Sequence, residues 1–208
     1  MKRLGMAHKP MIIGLKANVA AIADTYHTAY PNARILYASE KDFTKENRVA
    51  FFNNMKNNDY DCIIMSHDQF CKIPQSLEVA RDIIYDELWN LTRDLNTFRE
   101  NGGYVSGRML KGLEKREENL KAKLLEAENA IRERTDDVVD FKMMGVDHIF
   151  IDESHQFKNL MFTTRHQRVA GLGNTKGSQK AMNLLMAIRP YNKKQNVTWE
   201  RLSCLGQQ

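Results

Sequence analysis

Val146-Asp147-His148-Ile149-Phe150-Ile151-Asp152-Glu153-Ser154-His155-Gln156-Phe157-Lys158-Asn159-Leu160 is the stretch on which the fold turns. Ile149, Phe150 and Ile151 supply a buried strand over residues 146 to 151, and Asp152 falls just beyond its end. Two carboxylates at the carboxyl end of such a strand suit magnesium-assisted hydrolysis of a nucleotide. One acid, Asp152, holds the ion; the next, Glu153, acts as base or orients the attacking water. The alternative is a helix cap, with Asp or Ser opening a polar turn. His155 and the strong strand before the acids favour the catalytic assignment.

Outward from that strand, three more apolar runs bounded by turn residues read as strands of a parallel sheet. Met11 to Leu15 follows Pro10, Ala33 to Tyr37 follows Pro31-Asn32, and Asp61 to Met65 follows Asn57-Asn58-Asp59. Between the first two, Asn18 to Tyr30 places Val19, Ile22, Ala23 and Tyr26 at helical spacing. Between the second and third, Thr44 to Lys56 does the same with Val49, Phe52 and Met55. Strand alternating with helix predicts a doubly wound α/β layer.

Residues 75 to 134 break that rhythm. Leu77, Ile84, Leu91 and Phe98 recur every seven residues with Leu88 and Leu95 beside them. After Gly102-Gly103 and Gly107 the seam resumes at Leu110, Leu113, Leu120, Leu124, Ala127 and Ile131. The pattern predicts two long amphipathic helices folded back as a hairpin and inserted between the third and fourth strands. The second helix mixes both signs of charge, from Lys111 and Glu114 to Lys121 and Lys123, which suits a solvated face; a nucleic-acid surface is the alternative. The predicted organisation is therefore 1–74 as the first part of the α/β domain, 75–134 as the hairpin, 135–190 as the remainder with the acid pair, and 191–208 as a divergent tail.

Composition bounds the function classes. With 208 residues and 42% hydrophobic content the chain can bury one core. No run approaches the roughly 20 apolar residues that span a bilayer, and no apolar signal segment follows Lys2-Arg3, so a soluble, cytoplasmic protein is expected. Cys62, Cys71 and Cys204 lack metal-ligand spacing and read as reduced thiols. A net charge of +5 is compatible with a polyanionic partner without demanding one.

Two loops add candidates. Gly171 to Ser178 is glycine-rich and carries Lys176 ahead of a helical stretch from Gln179 to Ile188. It reads either as a flexible connector with Ser178 capping the helix, or as a contact to phosphate or the DNA backbone, toward which Lys158, Arg165, His166 and Arg168 add charge. His67 stands in the loop after the third strand, as a DNA contact or as a plain exposed histidine. Met143 and Met144 read as core filler.

Taken in order, these pieces resemble the first motor domain of a superfamily-two helicase of the Swi/Snf-like kind, as in the large helicase-methylase proteins of phages and conjugative elements. The segments that carry the resemblance are Lys9 to Leu15 with Tyr30-Pro31-Asn32-Ala33, then Asp59 to Phe70, then Asp152-Glu153-Ser154-His155 as the Walker B box, then Val169 to Ala181. Together they cover roughly residues 9 to 189. The resemblance implies the parallel sheet of a RecA-like motor domain, with ATP and Mg2+ as cofactors. Asp152 would lie on the metal and Asp152 and His155 at the nucleotide, with Glu153 and Asp152 catalytic. Lys16, Ser66, His67, Lys158, Arg165, Arg168 and Lys176 would lie on double-stranded DNA, gripped without regard to sequence.

One motif of that family is missing. Gly-x-x-x-x-Gly-Lys followed by Ser or Thr, whose amides and lysine cradle phosphates, occurs nowhere in the 208 residues, and neither does a Ser/Thr-Gly-Thr segment after Ile188. The expectation is an incomplete motor domain that is inactive alone and partnered by the missing Walker A segment and a second motor domain. The competing class is a non-enzymatic DNA- or protein-binding module with the α/β layer as scaffold. A magnesium-dependent nuclease fits poorly, because no further carboxylates cluster with the pair.

Overall fold

The computed structural model describes residues 4–100, 107–134, 138–160, 177–195 and 204–205. They fall into two compact units. One comprises residues up to 75 with 137–158 and 179 onward; the other comprises 76–136 with 159–178. No helix among the described residues is long and apolar enough to cross a membrane.

The first unit is an α/β layer. Strands β1 (Pro10–Gly14), β2 (Ile35–Tyr37), β3 (Cys62–Ser66) and β4 (His148–Asp152) are all parallel, and a two-residue strand β5 (Cys204–Leu205) extends the sheet beside β4. The strand order is β2-β3-β1-β4-β5. The α/β parallel-sheet class and the four strands read from the sequence are present, each within two residues of its expected start; β5 was not expected.

Both faces of the sheet are covered, which is why β3 is buried at every position and reads as a continuous apolar run. Alternate residues serve alternate faces. Cys62 and Ile64 pack with Ile12 beneath α1 (Val19–Ala29), through Val19 and Ala23. Met11, Ile13, Ile63, Met65, Ile149 and Ile151 face the larger core, which takes Phe51, Phe52 and Met55 from α2 (Arg48–Asn57), Phe70 from the short α3 (His67–Phe70) and Leu184 from α6 (Gln179–Gln195).

One face assignment is corrected. Val49 is 53% exposed, and α2 buries Phe51 beside Phe52 and Met55 instead. The cause is Phe43, whose buried ring sits 5.2 Å from Phe51 and 5.7 Å from Phe52 and recruits that side of the helix. Lys9 is a buried cation of this unit. Its Nζ donates to the carbonyls of Met55 (3.0 Å) and Met144 (3.1 Å), the trailing ends of α2 and of the 3-10 helix Phe141–Met144. Burial pushes its pKa below the ordinary lysine value, against the pull of Asp59 and Asp147.

The second unit contains α4 (Leu77–Glu100) and α5 (Gly107–Arg132). Leu91, Leu95 and Leu120 are buried between them, with Ile84, Leu88, Leu110 and Leu113 alongside. Polar contacts fix an antiparallel register: Arg99 with Glu114 (3.1 Å), Thr92 with Glu117 (3.4 Å), Arg116 with Glu87, and Arg134 with Glu78 (3.3 Å). Each exposed pair is worth little; the apolar seam holds the helices together.

On either side of the helical hairpin the chain is held together within the α/β layer, where the Phe141 amide donates to the Pro74 carbonyl at 2.8 Å. Replacing residues 76 to 137 by a short Gly-Ser linker is therefore expected to leave the α/β layer with a cooperative melt by circular dichroism and a monomeric mass by light scattering. Loss of the melt would show that the layer depends on the hairpin.

Candidate functional site

The carboxyl ends of β1, β3 and β4 lie side by side, because parallel strands all point one way. Asp152 is the last residue of β4, one position inside the strand rather than beyond it. Its side chain is partly buried and makes no hydrogen bond or ion pair with any described residue. Glu153 follows in the left-handed conformation, φ 54° and ψ 48°, which costs a non-glycine residue on the order of 1 kcal/mol. That turn carries the chain out of the sheet into the 3-10 helix Ser154–Phe157.

Glu153 occupies the cap position of that helix without making a side-chain cap bond. Its carboxylate instead pairs with His155 Nδ1 at 2.9 Å, and both side chains are substantially exposed. Glu153 and His155 are thus brought together beside Asp152. Among the described residues no group of three or more His, Cys, Asp or Glu side chains could hold a metal ion alone. One unpartnered carboxylate at a strand end still fits magnesium, which commonly takes one or two protein carboxylates and completes its shell with phosphates and water. A cradle for those phosphates is not found among the described residues, so the fit is to the metal side of a nucleotide site only.

Ser66 and His67 require a correction. Both were expected to face DNA from a polar loop, or, for His67, simply to face solvent; they are 5% and 4% exposed. Ser66 accepts from the Gln69 amide (3.3 Å) while its own amide donates to Gln69 Oε1 (2.8 Å), a reciprocal capping box that turns the post-strand segment into α3. His67 points inward, its ring 5.2 Å from that of Phe157, and its Nε2 lies 2.8 Å from the Asp152 carbonyl oxygen. The Ser-x-x-Gln spacing was the sequence signal that could have revealed this.

The other candidates are dispersed. Lys16 is exposed and paired with Glu40 at 2.5 Å; the shared hydrogen bond holds the lysine above and the glutamate below their ordinary pKa values. Both border a cleft of about 340 Å³ at the carboxyl ends of β1, β2 and β3, to which Tyr37, Asp68 and Lys72 also contribute. Lys158 is exposed just after the 3-10 helix. Arg165, Arg168 and Lys176, with most of the glycine-rich loop, lie outside the described residues. Sequence reasoning missed Lys180, which pairs with Asp68 at 2.9 Å, and Asn183, whose Nδ2 donates to the Cys71 carbonyl at 3.1 Å; both tie α6 to α3.

A protein-family model described as "Probable helicase domain" matches residues 1–200. The chain belongs to that family. No curated protein and no solved structure matches it. Membership of the helicase domain family accords with the α/β architecture, whose parallel sheet and long helices are consistent with part of a RecA-like helicase domain.

Proposed function

We propose that this helicase-family domain is part of an ATP-hydrolysing motor of the superfamily-two, Swi/Snf-like kind that acts on double-stranded DNA, as in the helicase-methylase proteins of phages and conjugative elements. The observation that carries the reading is the position of Asp152 and Glu153: consecutive acids at the carboxyl end of an inner parallel strand, the first with an uncommitted carboxylate and the second turned out toward solvent. Asp152 would hold magnesium and Glu153 would take the proton of the attacking water. Bound magnesium would neutralise charge on the phosphates. His155, hydrogen-bonded to Glu153, would orient its carboxylate.

Because Gly-x-x-x-x-Gly-Lys-Ser/Thr does not occur in the sequence, the chain by itself is expected to bind ATP no tighter than about millimolar and to show no DNA-stimulated turnover. Titration with a fluorescent nucleotide and a phosphate-release assay check this. Turnover on the order of one per second, lost in Glu153→Gln, would overturn the expected inactivity. The same missing motif favours the second reading, a non-enzymatic module. A protein that joins this domain to a phosphate-binding loop and still hydrolyses nothing would support it.

Weak, sequence-independent duplex binding is expected through exposed cations such as Lys16, Lys72 and Lys158. Affinity should fall steeply between about 50 and 200 mM salt, as counterion release requires. Fluorescence anisotropy with two unrelated duplexes checks it; binding indifferent to salt, or none at low ionic strength, would remove DNA from the reading.

A further inference from the structure

The Asp152 carbonyl belongs to the peptide unit that joins the two acids. Its direction is therefore tied to two torsions, ψ of Asp152 and φ of Glu153, and the second stands at 54°, in the left-handed region. A side chain that grips this oxygen fixes the plane of the peptide and with it the direction in which Glu153 leaves the backbone. His67 Nε2 is placed to do so, 2.8 Å away. A carbonyl can only accept, so Nε2 must carry the proton.

The histidine is itself held firmly. It opens α3 behind the Ser66 and Gln69 capping box, its ring lies against Phe157, and Phe157 packs edge-on to Phe70 at 6.0 Å. The far end of α3 is tied to α6 through Asn183. The ring cannot swing away to follow a rotating carbonyl; the carbonyl must stay with the ring.

We propose that His67 is a positioning residue for the acid pair, its hydrogen bond locking the Asp152–Glu153 peptide so that Glu153 keeps its left-handed conformation. What the acid pair then does rests on the reading above; the locking does not. Without the bond, the strained residue relaxes toward an ordinary conformation and its carboxylate leaves its place beside His155.

Two nuclear magnetic resonance measurements on the full chain test this. In the unsubstituted protein, long-range proton–nitrogen correlations are expected to show a protonated Nε2 on His67; a bare Nε2 overturns the proposal. The second compares His67→Gln, whose amide can donate from nearly the same place, with His67→Phe, which fills the space and donates nothing. The Glu153 carbon shifts and amide–Hα coupling are expected to keep their left-handed signature in the glutamine variant and lose it in the phenylalanine variant, with both melting cooperatively. An unchanged signature in His67→Phe, or its loss in His67→Gln, refutes the locking role. Should His67→Phe fail to fold, the protonation state and the glutamine variant still decide. If Glu153 follows His67 in this way while Glu153→Gln leaves hydrolysis intact in a loop-containing protein, the positioning role stands and the hydrolytic reading falls.

Discussion

In a protein that carries this domain together with a phosphate-binding loop, Glu153→Gln is expected to lower the hydrolysis rate by about 100- to 10,000-fold, the range over which a positioned general base accelerates a reaction. The amide keeps the shape of the carboxylate but cannot take a proton from water. Nucleotide affinity should change less than about tenfold, because the base contributes to the transition state more than to binding. Asp152→Asn should behave differently. Its carboxylate has no partner among the described residues, so the stability of the fold should barely alter, while magnesium-dependent nucleotide binding weakens. Single-turnover phosphate release beside equilibrium nucleotide titration separates the two. Wild-type rates in both variants would reduce the acid pair to a turn between a strand and a 3-10 helix.

The second large effect concerns stability. Phe70 is wholly buried and its ring meets Phe141 at 5.8 Å and Phe157 at 6.0 Å, so Phe70→Ala removes the shared neighbour of two other core aromatics. A loss of about 3–5 kcal/mol is expected, the usual cost of a phenylalanine-to-alanine cavity. Val49→Ala, by contrast, should stay within about 0.5 kcal/mol, since the side chain is 53% exposed on α2. Of the two urea melts, that of Val49→Ala reads which side of α2 faces the core, since Phe70 lies on α3. A Val49→Ala cost of about 2 kcal/mol or more would mean that the valine side of α2 faces the core.

That comparison shows where the sequence was legible and where it was not. The strands could be read because each is a short apolar run closed by Pro, Asn or Asp, and a parallel sheet covered on both faces needs nothing subtler. The hairpin could be read because its leucines repeat every seven residues, and Leu91 and Leu95 do meet Leu120. In α2, Val49, Phe51, Phe52 and Met55 offer more than one apolar side. Phe43, which lies outside the helix, decides between them, and no periodicity within α2 reports on it. The acid pair was legible from composition and position. The turn of Glu153 was not, because an acid in a left-handed conformation leaves no local signature and here depends on a histidine 85 positions upstream of Asp152. His67 itself looked exposed because Ser-His-Asp-Gln is polar, although Ser66 and Gln69 already spelled out a capping box.

The bond between Pro74 and Phe141 bears on how the chain finds its shape. β1 lies between β3 and β4, so the middle of the sheet waits for a partner that is synthesised only after the whole hairpin. An unstructured excursion of that length would slow the search, because distant strands must meet before either is stabilised. A hairpin that closes on its own contacts changes the problem: α4 and α5 are local in sequence, and the Arg134 and Glu78 pair brings their outer ends together. Once they pair, the path from β3 to β4 is short in space though long in residues. Such an excursion can lengthen or shrink by whole helical turns at little thermodynamic cost, since loop closure grows only by about 0.6 kcal/mol per doubling of length. Because the added turns would close within the hairpin, the sheet would register such a change little in its rate of folding either.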